Sequence, residues 1–163
     1  MIIRPYRGAR PVIGERVFLA ETAAVVGDVV LGDDVSIWYG SVVRGDCCSI
    51  RIGARTNVQD NSTLHVTRDV GPLLLEEEVT LGHNCVVHAC TIRRGALIGM
   101  NATVLDGAEI GAHCIIGAQS LIHAGIPNKV VALKTGTMGW HRAGLELEPD
   151  QGRMAPAPTG DAP

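Results

Sequence analysis

Three of the six histidines in this chain are candidates for metal ligands. His65 and His88 each directly follow an aliphatic residue, and His83 lies five residues before His88. Neutral imidazole is a common zinc ligand, and a site with three protein ligands leaves a fourth position open to water. A metal ion in such a site lowers the pKa of water to about 7 and makes it a nucleophile. The three histidines therefore predict a metal centre, provided that the fold brings them together.

A period of six residues runs along most of the chain and indicates the fold that would position the histidines. Aliphatic residues recur at every sixth position from Ile13 to Val43, from Ile52 to Leu64, from Leu75 to Val87 and from Ile92 to Ile122, eighteen positions in all. Neither the period of an α-helix nor that of a simple strand explains this pattern, and a β-sandwich would show turns every 8–12 residues or so. A six-residue repeat is the signature of a parallel β-helix, in which three short strands make one triangular coil. We therefore predict an all-β fold of about six coils.

Two insertions interrupt the period, three extra residues within 45–51 and about five within 67–74. With both insertions placed in loops, His65 and His88 occupy the same slot of the same face in successive coils, about 4.8 Å apart. That spacing suits two ligands of one ion. His83 belongs to the preceding face, so it would reach the same ion from a neighbouring subunit if three prisms pack around a threefold axis.

Composition narrows the classes of protein that the chain can belong to. Its 163 residues suit one domain, with 46% hydrophobic but only 3% aromatic residues and 20 glycines, which indicates an aliphatic core and many tight turns. The net charge of −3 predicts no nucleic-acid partner. We expect no membrane span and no signal peptide, because no apolar run is long enough. Five cysteines without a secretory signal then predict reduced thiols in the cytoplasm.

The end of the repeat at Ile122 divides the chain into three predicted segments. Residues 1–123 form the β-helix domain, and residues 124–148 form a C-terminal extension that is a short helix or irregular. Residues 149–163 are rich in proline and polar residues, which indicates a disordered tail.

Several short motifs along the repeat occur in the same order in a known family. They are Val43-Arg44-Gly45-Asp46, Thr56-Asn57-Val58-Gln59-Asp60-Asn61, Leu64-His65-Val66, Gly82-His83 to His88, Ile98-Gly99-Met100-Asn101 and Leu105-Asp106-Gly107-Ala108. In these motifs the chain resembles the gamma-class carbonic anhydrases, a family of hexapeptide-repeat proteins. The resemblance implies a left-handed β-helix and a homotrimer. It also implies a zinc ion, or iron or cobalt, bound by His65 and His88 of one subunit and His83 of the next.

The resemblance also assigns roles to residues around the metal. Gln59 corresponds to the glutamine that orients the water activated by the metal, and Arg44 and Asp46 correspond to a pair that links subunits and orders the site. Asp60 lies one coil before His83, where a carboxylate would hold the tautomer of that imidazole.

The implied activity is the reversible hydration of carbon dioxide to bicarbonate. The chain carries Cys47-Cys48-Ser49 where the best-characterised members carry acidic residues that transfer protons, so we expect the activity to be weak. Two alternatives stay open. One is a hexapeptide acyltransferase that uses acyl-coenzyme A and a histidine as general base, and the other is a non-catalytic metal-binding scaffold.

Overall fold

The computed structural model describes residues 1–124, which form a parallel β-helix. These residues contain seventeen strands and no helix, hence no helix long and apolar enough to cross a membrane. All pairings between strands are parallel. The all-β solenoid predicted from the repeat is confirmed. The predicted extension at 124–148, except Ala124, and the predicted tail at 149–163 lie outside the described residues.

The strands line three faces of a prism. The first face holds β1 (Ile2–Arg4), the start of β4 (Ala24–Leu31), the start of β6 (Val42–Ile52), β8 (Thr63–His65), β11 (Val86–His88), β14 (Thr103–Val104) and β17 (Leu121–Ile122). The second face holds β2 (Val12–Ile13), the ends of β4 and β6, β9 (Leu73–Leu75), β12 (Thr91–Ile92) and β15 (Glu109–Ile110). The third face holds β3 (Phe18–Leu19), β5 (Ser36–Ile37), β7 (Asn57–Val58), β10 (Thr80–Leu81), β13 (Leu97–Ile98) and β16 (Ile115–Ile116).

Aliphatic side chains of the repeat form a column behind each face. The column behind the first face consists of Ile3, Val25, Val43, Leu64, Val87, Val104 and Ile122. The second column consists of Ile13, Leu31, Ile52, Leu75, Ile92 and Ile110. The third column consists of Leu19, Ile37, Val58, Leu81, Ile98 and Ile116. All eighteen predicted positions therefore stack in the predicted register.

Burial follows position along the prism. Fifteen of the eighteen predicted positions are buried, and the other three, Ile13, Leu19 and Ile122, are partly buried because they lie in the end coils. The structure shows one more position in the first column than we predicted, since β1 places Ile3 beside Val25. The repeat does not reveal this position, because Ile3 lies ten residues before Ile13 rather than six. The β-helix thus has about seven turns rather than six.

Two glycines allow β4 and β6 to turn the corner between the first and second faces. Gly27 has a φ of +81° and pairs with Gly45, and a Cβ atom on Gly27 would overlap the carbonyl oxygen of Gly45. Directly after this pair, residues 46–49 lie opposite Asp28 alone. The first predicted insertion is therefore a bulge, which carries its side chains beside the first face.

The stacked column makes a prediction that two neighbouring residues of β13 can test. Ile98 is fully buried and Leu97 is 42% exposed. Replacing Ile98 with Ala should lower the free energy of unfolding by about 2–5 kcal/mol, because it leaves a cavity in the column. Leu97→Ala is the matched control and should cost less than about 1 kcal/mol. Urea denaturation measures both, and equal losses would show that the column does not carry the stability.

Candidate metal centre

His65 and His88 lie side by side on the first face. They are the last residues of β8 and β11 and are direct partners across the ladder. The buried side chains of Leu64 and Val87 fix the backbone immediately before each histidine. The ring centroids are 4.9 Å apart, and Nδ1 of His65 lies 2.8 Å from Nε2 of His88. Stacking of the core thus brings two imidazole nitrogens face to face.

A carboxylate lies behind each of these two imidazoles. Oδ1 of Asp46 is 2.9 Å from Nε2 of His65, and Oδ1 of Asp106 is 2.5 Å from Nδ1 of His88. The Thr67 hydroxyl lies 3.3 Å from the same nitrogen of His88. Each ring therefore has one nitrogen directed to a carboxylate and the other directed to its neighbouring histidine.

The environment keeps both carboxylates ionised. Partial burial acts to raise the pKa of Asp46, but the hydrogen bond from His65 and the positive charge of Arg44 outweigh it and hold the pKa below the usual value. Partial burial likewise acts to raise the pKa of Asp106, but hydrogen bonds from His88 and Thr67 outweigh it and hold this pKa below the usual value as well. Ionised carboxylates only accept hydrogen bonds, so Nε2 of His65 and Nδ1 of His88 are the donors.

This arrangement leaves two lone pairs facing each other when both rings are neutral. A neutral imidazole has one N–H group, and each ring directs it to its carboxylate. Nδ1 of His65 and Nε2 of His88, 2.8 Å apart, are then both acceptors and repel each other unless a cation lies between them. A bound metal ion would hold these two nitrogens about 3.3 Å apart, because that is the separation of two nitrogen ligands around a tetrahedral zinc ion. A carboxylate on the far nitrogen is the usual support of a metal-bound histidine. The donors present therefore fit a metal ion.

His83 lies elsewhere in the chain, in the turn between β10 and β11 at the corner of the third and first faces. Its side chain is 52% exposed, and its Nδ1 is 2.9 Å from Oδ2 of Asp60. A shallow pocket there is lined by Trp38, Asn57, Gln59, Asp60 and His83. The contacts of His83 in the described part of the chain do not include His65 or His88.

The predicted site residues thus fall into two groups, on different parts of the prism. The His65 group consists of Arg44, Asp46, His65 and His88, and it contains an ion pair between Arg44 and Asp46. The His83 group consists of Gln59, Asp60 and His83. One chain brings the members of each group together but does not bring the two groups together.

The chain is similar to known proteins in the segments that carry the repeat and the motifs. The model of the bacterial transferase hexapeptide (six repeats) matches residues 10–45 and 89–124. A carbonic anhydrase of Geobacillus kaustophilus is 46% identical over 110 residues, covering 68% of this chain and 60% of that protein. The mitochondrial gamma carbonic anhydrase 2 of Arabidopsis thaliana is 44% identical over 117 residues, covering 69% of this chain and 42% of that protein.

A solved structure of a putative acetyltransferase from Bacillus cereus is also similar. It is 46% identical with a TM-score of 0.74, and the match covers 76% of this chain and 72% of that one. This chain belongs to the gamma carbonic anhydrase-like family of hexapeptide-repeat proteins. It spans 42% of the length of the Arabidopsis thaliana protein and 60% of the length of the Geobacillus kaustophilus protein.

Sequence reasoning missed two residues that contact His88. Asp106 follows the core residue Val104 by two positions, one coil after His88, so the ladder register could have found it. Thr67 lies in the second insertion, where the repeat gives no register and no signal could have placed it. Cys90, two residues after His88, is buried in the core, and burial raises the pKa of its thiol to about 12. It is therefore a core residue rather than a ligand.

The low pKa of Asp106 predicts how the metal-free protein responds to acid. In the folded protein the pKa of Asp106 is below the value of about 3.9 that the unfolded chain would have. The ionised carboxylate therefore stabilises the folded state fully above that pH, and the stabilisation is lost as the pH falls through the pKa of the folded protein. In the presence of a chelator, Asp106→Asn should lose about 1 kcal/mol at pH 7, and its stability should change less between pH 5 and about pH 3.

Urea midpoints at the two pH values measure this difference. Asp69→Asn is the matched control, because Asp69 is exposed and its φ of 67° is one that asparagine tolerates. An Asp106→Asn variant with the same acid response as the wild type would show that the His88–Asp106 pair contributes nothing.

Proposed function

We propose that this chain is a metal-dependent lyase that interconverts carbon dioxide and bicarbonate. The observation that carries the proposal is the pair of facing nitrogens on His65 and His88, 2.8 Å apart, each with a carboxylate behind its ring. The similarity to curated carbonic anhydrases supports the same reaction.

The separation of the two groups supports a metal shared between subunits. Two histidines leave a tetrahedral ion short of the three protein ligands that catalytic sites use. His83 is exposed, and Asp60 holds its Nδ1, so its Nε2 is free to bind an ion outside its own chain. A cyclic trimer would place His83 of the partner subunit against the His65 group three times, once at each interface.

Zinc is the metal we propose, with iron or cobalt as alternatives. A ligand set of three imidazole nitrogens suits all three ions, and zinc favours the tetrahedral geometry. When bound, the ion supplies a Lewis acid that lowers the pKa of water and makes it a nucleophile toward carbon dioxide. The chain's own residues hold and orient the imidazoles of His65 and His88. Asp46 and Asp106 fix the tautomers of these two rings through hydrogen bonds.

Gln59 belongs to the His83 group, so it would join the site together with the third histidine. Its amide can donate to or accept from a water molecule and so orient that molecule toward carbon dioxide. Arg44 neutralises part of the charge on Asp46, which leaves Oδ1 of that carboxylate for His65.

Proton release needs a group that accepts the proton, and the loops near the His65 group offer few suitable carboxylates. The bulge at 46–49 carries two cysteines, a serine and Asp46, and its only carboxylate is already bonded to His65 and Arg44. The next glutamates in the chain, Glu76, Glu77 and Glu78, are all in ion pairs with arginines. Hydrogen bonds from those arginines lower the pKa of Glu76 and Glu78, which makes both carboxylates poor proton acceptors. We therefore propose slow turnover.

Acyl transfer is a second candidate, and one observation favours it. The Bacillus cereus structure that is 46% identical is described as a putative acetyltransferase. Under this alternative, His88 with Asp106 behind it would act as a general base toward a substrate hydroxyl or amine. Such a base needs no metal, so metal content separates the two candidates.

The shared site predicts a specific pattern of metal recovery. In a Cys47→Ser background, which removes the thiol that lies beside His65, His65→Ala and His83→Ala should each abolish binding of zinc, which the parent protein should bind at about one ion per chain. Co-expressed in equal amounts, the two variants should recover about a quarter of the sites, because one pairing in four joins an intact His65 group to an intact His83. Elemental analysis of the purified mixture measures the recovery.

A mixture of His65→Ala and His88→Ala, in the same Cys47→Ser background, is the matched control. Both changes damage the same group, so no pairing of these chains makes a complete site and zinc should stay absent. Absence of zinc from the first mixture as well, with assembly intact by light scattering, would contradict a site shared between subunits.

The reaction predicts carbon dioxide hydration that depends on the metal. Zinc- or iron-loaded protein should hydrate carbon dioxide above the uncatalysed rate, and His65→Ala should reduce this to background, as measured by stopped-flow with a pH indicator. His113→Asn is the matched control, since His113 is exposed on another corner and its φ of 57° suits asparagine. Metal binding with no hydration would indicate a scaffold, and turnover of acetyl-coenzyme A without metal would indicate an acyltransferase.

A further inference from the structure

A second set of metal donors lies beside His65 within a single chain. Asp46, Cys47 and His65 each offer one ligand atom, and these three atoms lie within 4.8 Å of one another. The three side chains are partly buried. Unlike the site proposed above, this set needs neither His88 nor another subunit.

The bulge after Gly45 creates this set. It adds three residues to β6 opposite Asp28, and so brings the side chains of consecutive residues, Asp46 and Cys47, next to the end of β8. Cys47 donates a weak hydrogen bond to the carbonyl of Val66, at 3.4 Å from sulfur to oxygen. Burial and the negative charge of Asp46 raise the pKa of that thiol, so a cation would bind by displacing its proton.

His65 presents a different ring nitrogen to each set. Its Nδ1 faces His88, and its Nε2 faces Asp46. When Nε2 binds a cation, the ring proton moves to Nδ1 and is donated to Nε2 of His88, 2.8 Å away. Both ring nitrogens of His65 are then satisfied.

We propose that Asp46, Cys47 and His65 form a second metal site, complete within one chain, for a thiophilic divalent cation such as Zn²⁺ or Cd²⁺. Sulfur, nitrogen and oxygen donors together suit these ions. The carboxylate and the thiolate carry two negative charges, which match the charge of the ion. Binding releases the thiol proton to solvent.

Solvent reaches Asp46 and Cys47 through a pocket in the surface. This small pocket is also lined by Tyr6, Arg7 and Asp28. Arg44 pairs with Oδ2 of Asp46, so Oδ1 stays available to a cation. The two metal sites share His65 and use opposite tautomers of it. One chain can therefore hold an ion before it meets a partner, and must change the His65 tautomer to pass the ion on.

Cobalt titration of a variant without the shared site tests the proposal. His88→Ala should bind about one Co²⁺ per chain and develop the near-ultraviolet charge-transfer band of a thiolate–cobalt bond. Adding Cys47→Ser should remove the band. Adding Cys48→Ser should leave it, because Cys48 is the adjacent cysteine but is not a member of the donor set. A band that survives Cys47→Ser, or that never forms in correctly folded His88→Ala, overturns the second site.

Alkylation of the His88→Ala variant, which lacks the shared site, provides a second test. Cd²⁺ should slow the reaction of Cys47 with N-ethylmaleimide by about tenfold or more, since a metal-bound thiolate is not free to attack. Cys48 in the same peptide serves as the internal control and should show little change. Equal rates at Cys47 with and without Cd²⁺ would refute the second site while leaving the shared site, which is tested by the zinc content of mixed variants, unaffected.

Discussion

Stacking of aliphatic side chains at the spacing of parallel strands is the constraint on which the whole structure depends. One coil of the prism advances the chain by about 4.8 Å, so residues one coil apart are neighbours whatever their separation in sequence. His65 and His88 are 23 residues apart in the chain and in hydrogen-bonding range in the fold, because Leu64 and Val87 are buried in the same column. The core therefore sets the geometry of the site as a direct consequence of its own packing.

The charges around His65 and His88 then determine which ligand the two imidazoles can bind. The column fixes the two rings, and the carboxylates of Asp46 and Asp106 fix which nitrogen of each ring carries the proton. The remaining nitrogens face each other as acceptors, an arrangement that a cation relieves. In the metal-free protein the contact between these two nitrogens is unfavourable. An ion that binds between them removes this contact, and the free energy gained adds to the affinity for the ion. The same logic makes His65 the branch point between the shared site and the site with Cys47.

The sequence was informative where the period held and uninformative where it broke. Six-residue spacing was enough to predict the register of every predicted column position and the pairing of His65 with His88, because one register satisfies the whole core. It missed the column position at Ile3, where ten residues separate successive aliphatic positions, and it missed Thr67, which lies in an insertion without register. Asp106 was accessible from the register, but carboxylates are common on exposed corners, so its type alone did not mark it. The proposed meeting of the His65 and His83 groups depends on surfaces of two chains, which no period within one chain can determine.

The most direct measurement is anomalous X-ray scattering at the absorption edge of the bound metal, from crystals of the zinc-loaded protein. The account predicts one strong peak per chain, located between His65 and His88 of one subunit and bonded to His83 of the partner subunit. A single peak that contacts His65 and His88 with no histidine from another chain, or a peak remote from both, would contradict it.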